Sequence, residues 1–156
     1  MVHQHFKLIP ALTVQENIIL GLKTAGYPLL SFKKVQERLK VLSKQYGMEI
    51  DPKALVSELS IGERQRVEIL KAIYRDAQLL ILDEPTAVFS SQEVETLFNN
   101  IRLMIQDGRT VVLIIHKLDE VMEIAERITI LRNGNRVGTL HKREVTKNQL
   151  AKMMVG

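Results

Sequence analysis

A chain of 156 residues, 46% of them hydrophobic, is long enough for one domain with a sizeable core, and its lack of cysteine excludes disulfides and thiolate metal sites. The net charge of +4 comes from 22 basic and 18 acidic residues that are interspersed, with no block of five like charges. With aromatics at only 4%, this argues against a nucleic-acid partner. Apolar runs of about five residues are far too short to span a bilayer, which needs roughly 20, and Met1–His5 has no signal-peptide pattern.

The chain opens on Met1-Val2-His3-Gln4-His5, a polar start whose His-x-His pair is a weak metal signal without further ligands. Thr13 and Glu16 then form a capping box, and Val14, Ile18, Ile19 and Leu22 share one helix face that Gly26 and Pro28 terminate. Val35, Leu39 and Leu42 mark a second amphipathic helix closed by Gly47, and Asp51-Pro52 leads towards Leu59.

Ser60 and Glu63 make a second S-x-x-E box. The helix that follows carries Ile61, Ile69, Leu70 and Ile73 on its apolar side, with Arg64, Arg66, Glu68 and Lys71 as polar neighbours. A helix start with a serine hydroxyl and a glycine suits an anion, although an ordinary capped helix has the same local pattern. Leu79-Leu80-Ile81-Leu82 runs without alternation, as in a strand buried on both faces of a parallel sheet. Asp83 and Glu84 stand at its carboxyl end, where open α/β sheets gather their chemistry. Adjacent acids there suit a magnesium ligand (Asp83) and a base that orients water (Glu84), and equally a solvated acidic turn.

Ser91 is positioned to cap a helix with the stripe Val94, Leu97, Ile101, Met104 and Ile105, closed by Asp107-Gly108. Thr110–Ile115 is rich in β-branched residues and reads as a central parallel strand ending at His116. Lys117–Arg127 reads as a helix. Asn133-Gly134 joins two strands, Ile128–Leu131 and Arg136–Leu140, as a tight hairpin, and Thr146–Met154 reads as a terminal helix.

Leu59-Ser60-Ile61-Gly62-Glu63 and Leu79-Leu80-Ile81-Leu82-Asp83-Glu84-Pro85, at this interval, resemble the signature and Walker B motifs of ATP-binding cassette (ABC) ATPases. The resemblance extends over essentially the whole chain. It is closest to the sugar and nucleoside importer class, through Arg66–Ala72, Glu84–Val88 and the ending Met153-Met154-Val155-Gly156. It implies an α/β fold of the P-loop NTPase (RecA-like) type, a parallel-sheet core with an inserted all-helical subdomain. Residues 1–12 would be the Q-loop segment of the core, 13–75 the helical (signature) subdomain and 76–156 the C-terminal part of the ATPase core, without the N-terminal P-loop third.

The resemblance also implies roles. Gln4 would be the Q-loop residue that reaches magnesium and the attacking water. Asp83 would hold Mg2+, Glu84 would polarise the water and His116 would be the switch histidine at the γ-phosphate. Ser60, Gly62 and Glu63 would contact the ATP of a partner cassette. The implied cofactors are ATP and Mg2+. The implied partners are transmembrane permease subunits and a second ATP-binding cassette, on the cytoplasmic face of the cell membrane, with hydrolysis driving uptake of a sugar or nucleoside.

Three features depart from the family's common pattern: Ile61 and Glu63 within the signature, Ser90 where an aspartate is common, and the lack of any G-x-x-x-x-G-K-[ST] stretch. The last leads to two expectations, that the chain alone binds ATP weakly or not at all and that its sheet has an open edge. A non-catalytic docking remnant or a pseudogene product is the alternative reading. A DNA-repair type of ABC ATPase, with long heptad coiled coils between its motifs, is disfavoured by the short interval between Gln4 and Ser60 and its helix breakers Gly26, Pro28, Gly47 and Pro52.

Overall fold

The computed structural model describes residues 1–2, 6–22 and 31–156, which form two compact units, Met1–Ile114 and Ile115–Gly156. In the first unit three helices come first. Helix α1 (Val14–Ile19) starts at the expected capping box: Thr13 Oγ1 accepts the Glu16 N–H, and Glu16 accepts the Thr13 N–H at 2.7 Å. It ends sooner than its apolar spacing suggests. Gly21, at φ 81°, supplies a left-handed turn and the Leu22 N–H folds back to the Ile19 carbonyl. The predicted stop at Gly26 and Pro28 lies outside the described residues.

Helix α2 (Phe32–Gln45) buries Val35 and Leu39 and is closed by Gly47 at φ 64°, as the spacing requires. After a 3-10 turn at Val56–Glu58 comes α3 (Ile61–Tyr74), which buries Ile69, Leu70 and Ile73 completely. Ile61 is not on that buried stripe. It is the first helical residue and is 49% exposed, whereas Glu68, expected as a polar neighbour of the stripe, is buried, as is Gln65.

Strand β1 (Leu79–Asp83) pairs in parallel with β2 (Thr110–Ile114), Leu80 facing Val111 and Leu82 facing Leu113 in register. Val2 adds a single parallel bridge on the other side of β1, donating to the Ile81 carbonyl and accepting from the Asp83 N–H. Expected burial on both faces of β1 is not met: Leu80 and Leu82 are enclosed while Leu79 is half exposed. Nor is β2 central among the described residues, because it pairs with β1 alone, and Val112 and Ile114 are 44% and 46% exposed.

Helix α4 (Ser91–Gln106) connects the two strands. It is capped by Ser90 rather than Ser91, because Ser90 and Glu93 have the S-x-x-E spacing and exchange hydrogen bonds. Val94, Leu97, Ile101 and Met104 are buried, and Ile105 falls off the stripe onto the surface.

The end of α2 is fastened to the turn after α4. The hydroxyl of Tyr46, itself buried, donates to Asp107, which also pairs with Arg109 at 2.9 Å, and the Arg109 guanidinium lies over the Tyr46 ring. Burial first, and then the bond to Asp107, pushes the Tyr46 phenol above its ordinary value. A pKa raised by folding gives stability that is complete below the unfolded value of about 10 and is lost as pH rises through the folded one. Tyr46→Phe therefore shows a shallower loss of stability above about pH 10 than the parent, read from urea midpoints at stepped pH. Parallel alkaline limbs would refute this.

The second unit has its own core. Helix α5 (Leu118–Ile124) is shorter than the expected Lys117–Arg127, because Arg127 already begins strand β3 (Arg127–Arg132). Asn133 and Gly134, at φ 50° and 75°, make the two-residue turn into β4 (Asn135–His141). After a 3-10 turn at Lys142–Glu144, helix α6 (Lys147–Val155) starts at a Thr146–Gln149 box. Ile128, Ile130, Val145 and Leu150 form the buried cluster, packed against Val121, Met122 and Met153.

Candidate functional site

Asp83 ends β1, and Glu84 follows it at φ 46°, a left-handed conformation uncommon for a residue with a side chain. Such strain costs of order 1 kcal/mol or more and concentrates at functional positions. The Glu84 N–H donates to the Ile114 carbonyl at 3.0 Å, which fixes the acid to the last residue of β2. Pro85 and Thr86 are buried just behind it. Both acids line an open cleft of about 170 Å³, walled by Val2, Phe6, Pro85 and Val88, with Ile61 and Gln65 of α3. The exposed Ile61 thus has a place, in the wall of the cleft that the acids line.

Among the described residues no three His, Asp or Glu side chains converge. The pair offers hard oxygen donors of the kind Mg2+ prefers, and such ions usually keep several water or phosphate ligands beside one or two carboxylates.

Ser60, Gly62 and Glu63 form the first turn of α3. Ser60 Oγ accepts the Glu63 N–H at 3.3 Å while Glu63 accepts the Ser60 N–H at 2.8 Å. Hydrogen bonds from the Ser60 side chain and backbone hold the Glu63 carboxyl below its ordinary value, and Arg66 adds to this. The Thr13, Ser90 and Thr146 hydroxyls also donate back to their box partners. The Gly62 position meets little: an added Cβ would lie 3.4 Å from Glu93 Oε1 and 3.9 Å from Phe89 Cζ, ordinary contacts.

Of the other expected residues, Gln4 lies outside the described residues, as do His3 and His5. Its neighbour Val2 is bridged to β1 next to the acids. His116 is exposed and belongs to the second unit, two residues past the end of β2 and two before α5. The first unit therefore brings Asp83 and Glu84 into one cleft with the start of α3 alongside.

Two residues not singled out from sequence hold the strap 6–13 that follows Gln4. Asn17, 1% exposed, accepts the Ile9 N–H at 2.7 Å and donates to the Ile9, Leu12 and Thr13 carbonyls. Glu68, 8% exposed, accepts the Lys7 N–H at 2.8 Å. The available signal for Asn17 was its place on the apolar face, three residues after Val14 and just before Ile18. A polar residue in a buried stripe implies internal partners.

Residues 1–87, more than half of the chain, match the ABC transporter family. The chain is 44% identical over its full length to a nucleoside import ATP-binding protein, NupA, of Lactococcus lactis subsp. cremoris, of which the match covers 31%. It is 41% identical to a glucose import ATP-binding protein, TsgD13, of Haloferax volcanii, covering 34% of it, and 42% identical to a ribose import ATP-binding protein, RbsA 3, of Rubrobacter xylanophilus, covering 32%. In both cases the whole of this chain is aligned. The chain thus spans about a third of the length of the curated relatives it matches. Among solved structures, 91% of the chain superposes on 62% of the dimeric bacterial ABC transporter cassette MJ0796, with a TM-score of 0.75 at 29% identity. A post-hydrolysis state of that cassette bound to ADP and Pi superposes equally well. The fold is accordingly that of the α/β ABC cassette, of which this chain covers part.

Proposed function

This chain belongs to the ABC transporter family, and on that premise we propose that it is part of an ATP-hydrolysing subunit that energises import of a sugar or nucleoside. The observation that carries the reading is the acid pair at the carboxyl end of β1, with Glu84 held in a strained backbone conformation inside an open cleft. Asp83 serves as the Mg2+ ligand. When bound, Mg2+ neutralises phosphate charge. Glu84 polarises the attacking water, and the family resemblance assigns Gln4 and His116 roles towards the γ-phosphate.

Ser60, Gly62 and Glu63 bind the ATP of a second cassette at the N-terminus of α3, where the helix dipole favours an anion. Residues 13–75 act as the helical subdomain that faces the permease subunits, and the protein sits peripherally on the inner face of the membrane. No helix among the described residues is long and apolar enough to cross it.

The signature role separates stability from activity at Gly62. Because an added methyl meets only ordinary contacts, Gly62→Ala changes stability by less than about 1 kcal/mol. In a completed cassette, this chain joined in frame behind a P-loop-bearing segment of an ABC cassette, it lowers ATP hydrolysis about tenfold or more. An equal fall in both, or in neither, would contradict the assignment. The importer reading is tested by uptake. A hybrid of the lactococcal nucleoside protein with this chain in place of its matching stretch restores nucleoside uptake, in cells lacking the native subunit, above the vector-only rate. A hybrid that reaches the membrane and hydrolyses ATP without restoring uptake would count against it.

A further inference from the structure

Helix α2 concentrates the charge of the chain. It holds five of the 22 basic residues and one of the 18 acidic ones, a net charge of +4 in 14 residues, while the remainder has 17 of each and no net charge. The basic residues are not a run in the sequence, and helical periodicity is what gathers them. Val35, Leu39 and Ser43 make the buried side, which packs on α1 and α3. Lys33, Lys40 and Lys44, at intervals of seven and four, line the outward side with Glu37 among them, and Lys34 and Val41, seven apart, run beside that line. All six are exposed, Val41 to 64%. From Lys33 to Lys44 the line is about 17 Å long at 1.5 Å per residue.

Two features set this side apart from an ordinary solvated helix. None of the four lysines makes an ion pair or hydrogen bond among the described residues, whereas Arg38, the fifth cation, is bound to Asp76 at 2.9 Å and lies 4.6 Å from the Tyr74 ring centre. Lys33 and Lys34 also take the second and third helical positions, where the helix dipole disfavours a cation, and α1, α3 and α4 have a glutamate at the third. Their charge therefore works against the helix, and clustered like charges add a self-repulsion that an anionic surface relieves. Lysine is a strongly hydrated point charge, which suits a headgroup layer of no fixed geometry. The outward side has no aromatic ring for stacking on bases, and its one neighbouring arginine is already paired. We propose that the outward side of α2 docks electrostatically on an anionic phospholipid surface, with Val41 as an apolar contact among the lysines. This rests on the placement at the inner face of the membrane proposed above.

The test is co-sedimentation of the 156-residue chain with vesicles, without nucleotide. The chain binds vesicles of phosphatidylglycerol and phosphatidylcholine mixed about 3:7 at least about tenfold more tightly than vesicles of phosphatidylcholine alone, and the preference fades as salt is raised. The combined substitutions Lys33→Gln, Lys34→Gln, Lys40→Gln and Lys44→Gln, which keep good helix formers on exposed positions, weaken binding to the mixed vesicles about 30-fold. Lys53→Gln, Arg136→Gln, Arg143→Gln and Lys152→Gln together remove the same charge from exposed positions outside α2 and change it less than about threefold. Glu37→Gln removes the one acid of the outward side and tightens binding about threefold.

A chain with no preference for the anionic vesicles overturns the proposal. So does an equal loss in the two quadruple variants, which would make the attraction one of net charge alone. Tighter binding to a DNA duplex than to the mixed vesicles at the same salt, with the same dependence on the four lysines, would give this side to nucleic acid and overturns it as well. Vesicle binding involves neither permease nor hydrolysis. A hybrid that fails to restore uptake, beside a chain that binds the vesicles, removes the importer reading alone, and restored uptake beside absent vesicle binding removes this proposal alone.

Discussion

Phosphate release by the completed cassette falls about 100- to 1000-fold in Glu84→Gln, with ATP binding preserved to within about twofold. Glutamine keeps the size and the hydrogen-bonding oxygen of the side chain but loses the basic carboxylate that polarises water. It also leaves the backbone strain at φ 46° and the Ile114 bond in place, so the loss reports chemistry rather than collapse. Asp83→Asn in the same background weakens the dependence on magnesium, because one of the two hard donors in the cleft becomes neutral. Single-turnover phosphate release, beside equilibrium binding of a fluorescent ATP, separates the two steps. A Glu84→Gln variant that hydrolyses within fivefold of the parent would remove Glu84 from the reaction.

Asn17→Ala produces the larger effect on stability, a loss of ~3 kcal/mol. The side chain is 1% exposed and serves one N–H and three carbonyls of the strap and the α1 start. Removing it takes away the partner of the Ile9 N–H and leaves the Ile9 carbonyl with the Leu12 N–H alone, at 3.1 Å. Asn17→Asp, which keeps an acceptor for Ile9 N–H but no donors, is intermediate in its urea midpoint. An alanine variant within about 0.5 kcal/mol of the parent would mean that water replaces these bonds at no cost, and the strap would then not be held by Asn17.

How much of this was legible in the sequence follows from which forces are local. Capping boxes at Thr13 and Ser60 were readable because both partners lie within four residues. The Asn133-Gly134 turn was readable because φ above zero at both positions selects those residue types. The acid pair was readable from an apolar run that ends in two carboxylates. Long-range facts were not. Glu68 and Asn17 are separated from the strap by up to 61 residues or bind it through backbone groups, which carry no side-chain signature.

Burial of β1 and β2 was overestimated for the same reason. Uninterrupted apolar runs report what a strand is built to sit beside, and among the described residues β2 has β1 alone. The roles of Gln4 and His116 came from resemblance to the family, since a lone glutamine and a lone histidine carry no local signature.

The most direct measurement is phosphate release by the completed cassette, this chain joined behind a P-loop-bearing segment, as Mg-ATP is titrated. Saturable release that depends on magnesium is expected from the completed cassette, and neither release nor micromolar ATP binding from the 156-residue chain alone. A completed cassette that folds and binds ATP but releases no phosphate above background would contradict this expectation, and Asp83, Glu84 and Gln4 would then have no hydrolytic role.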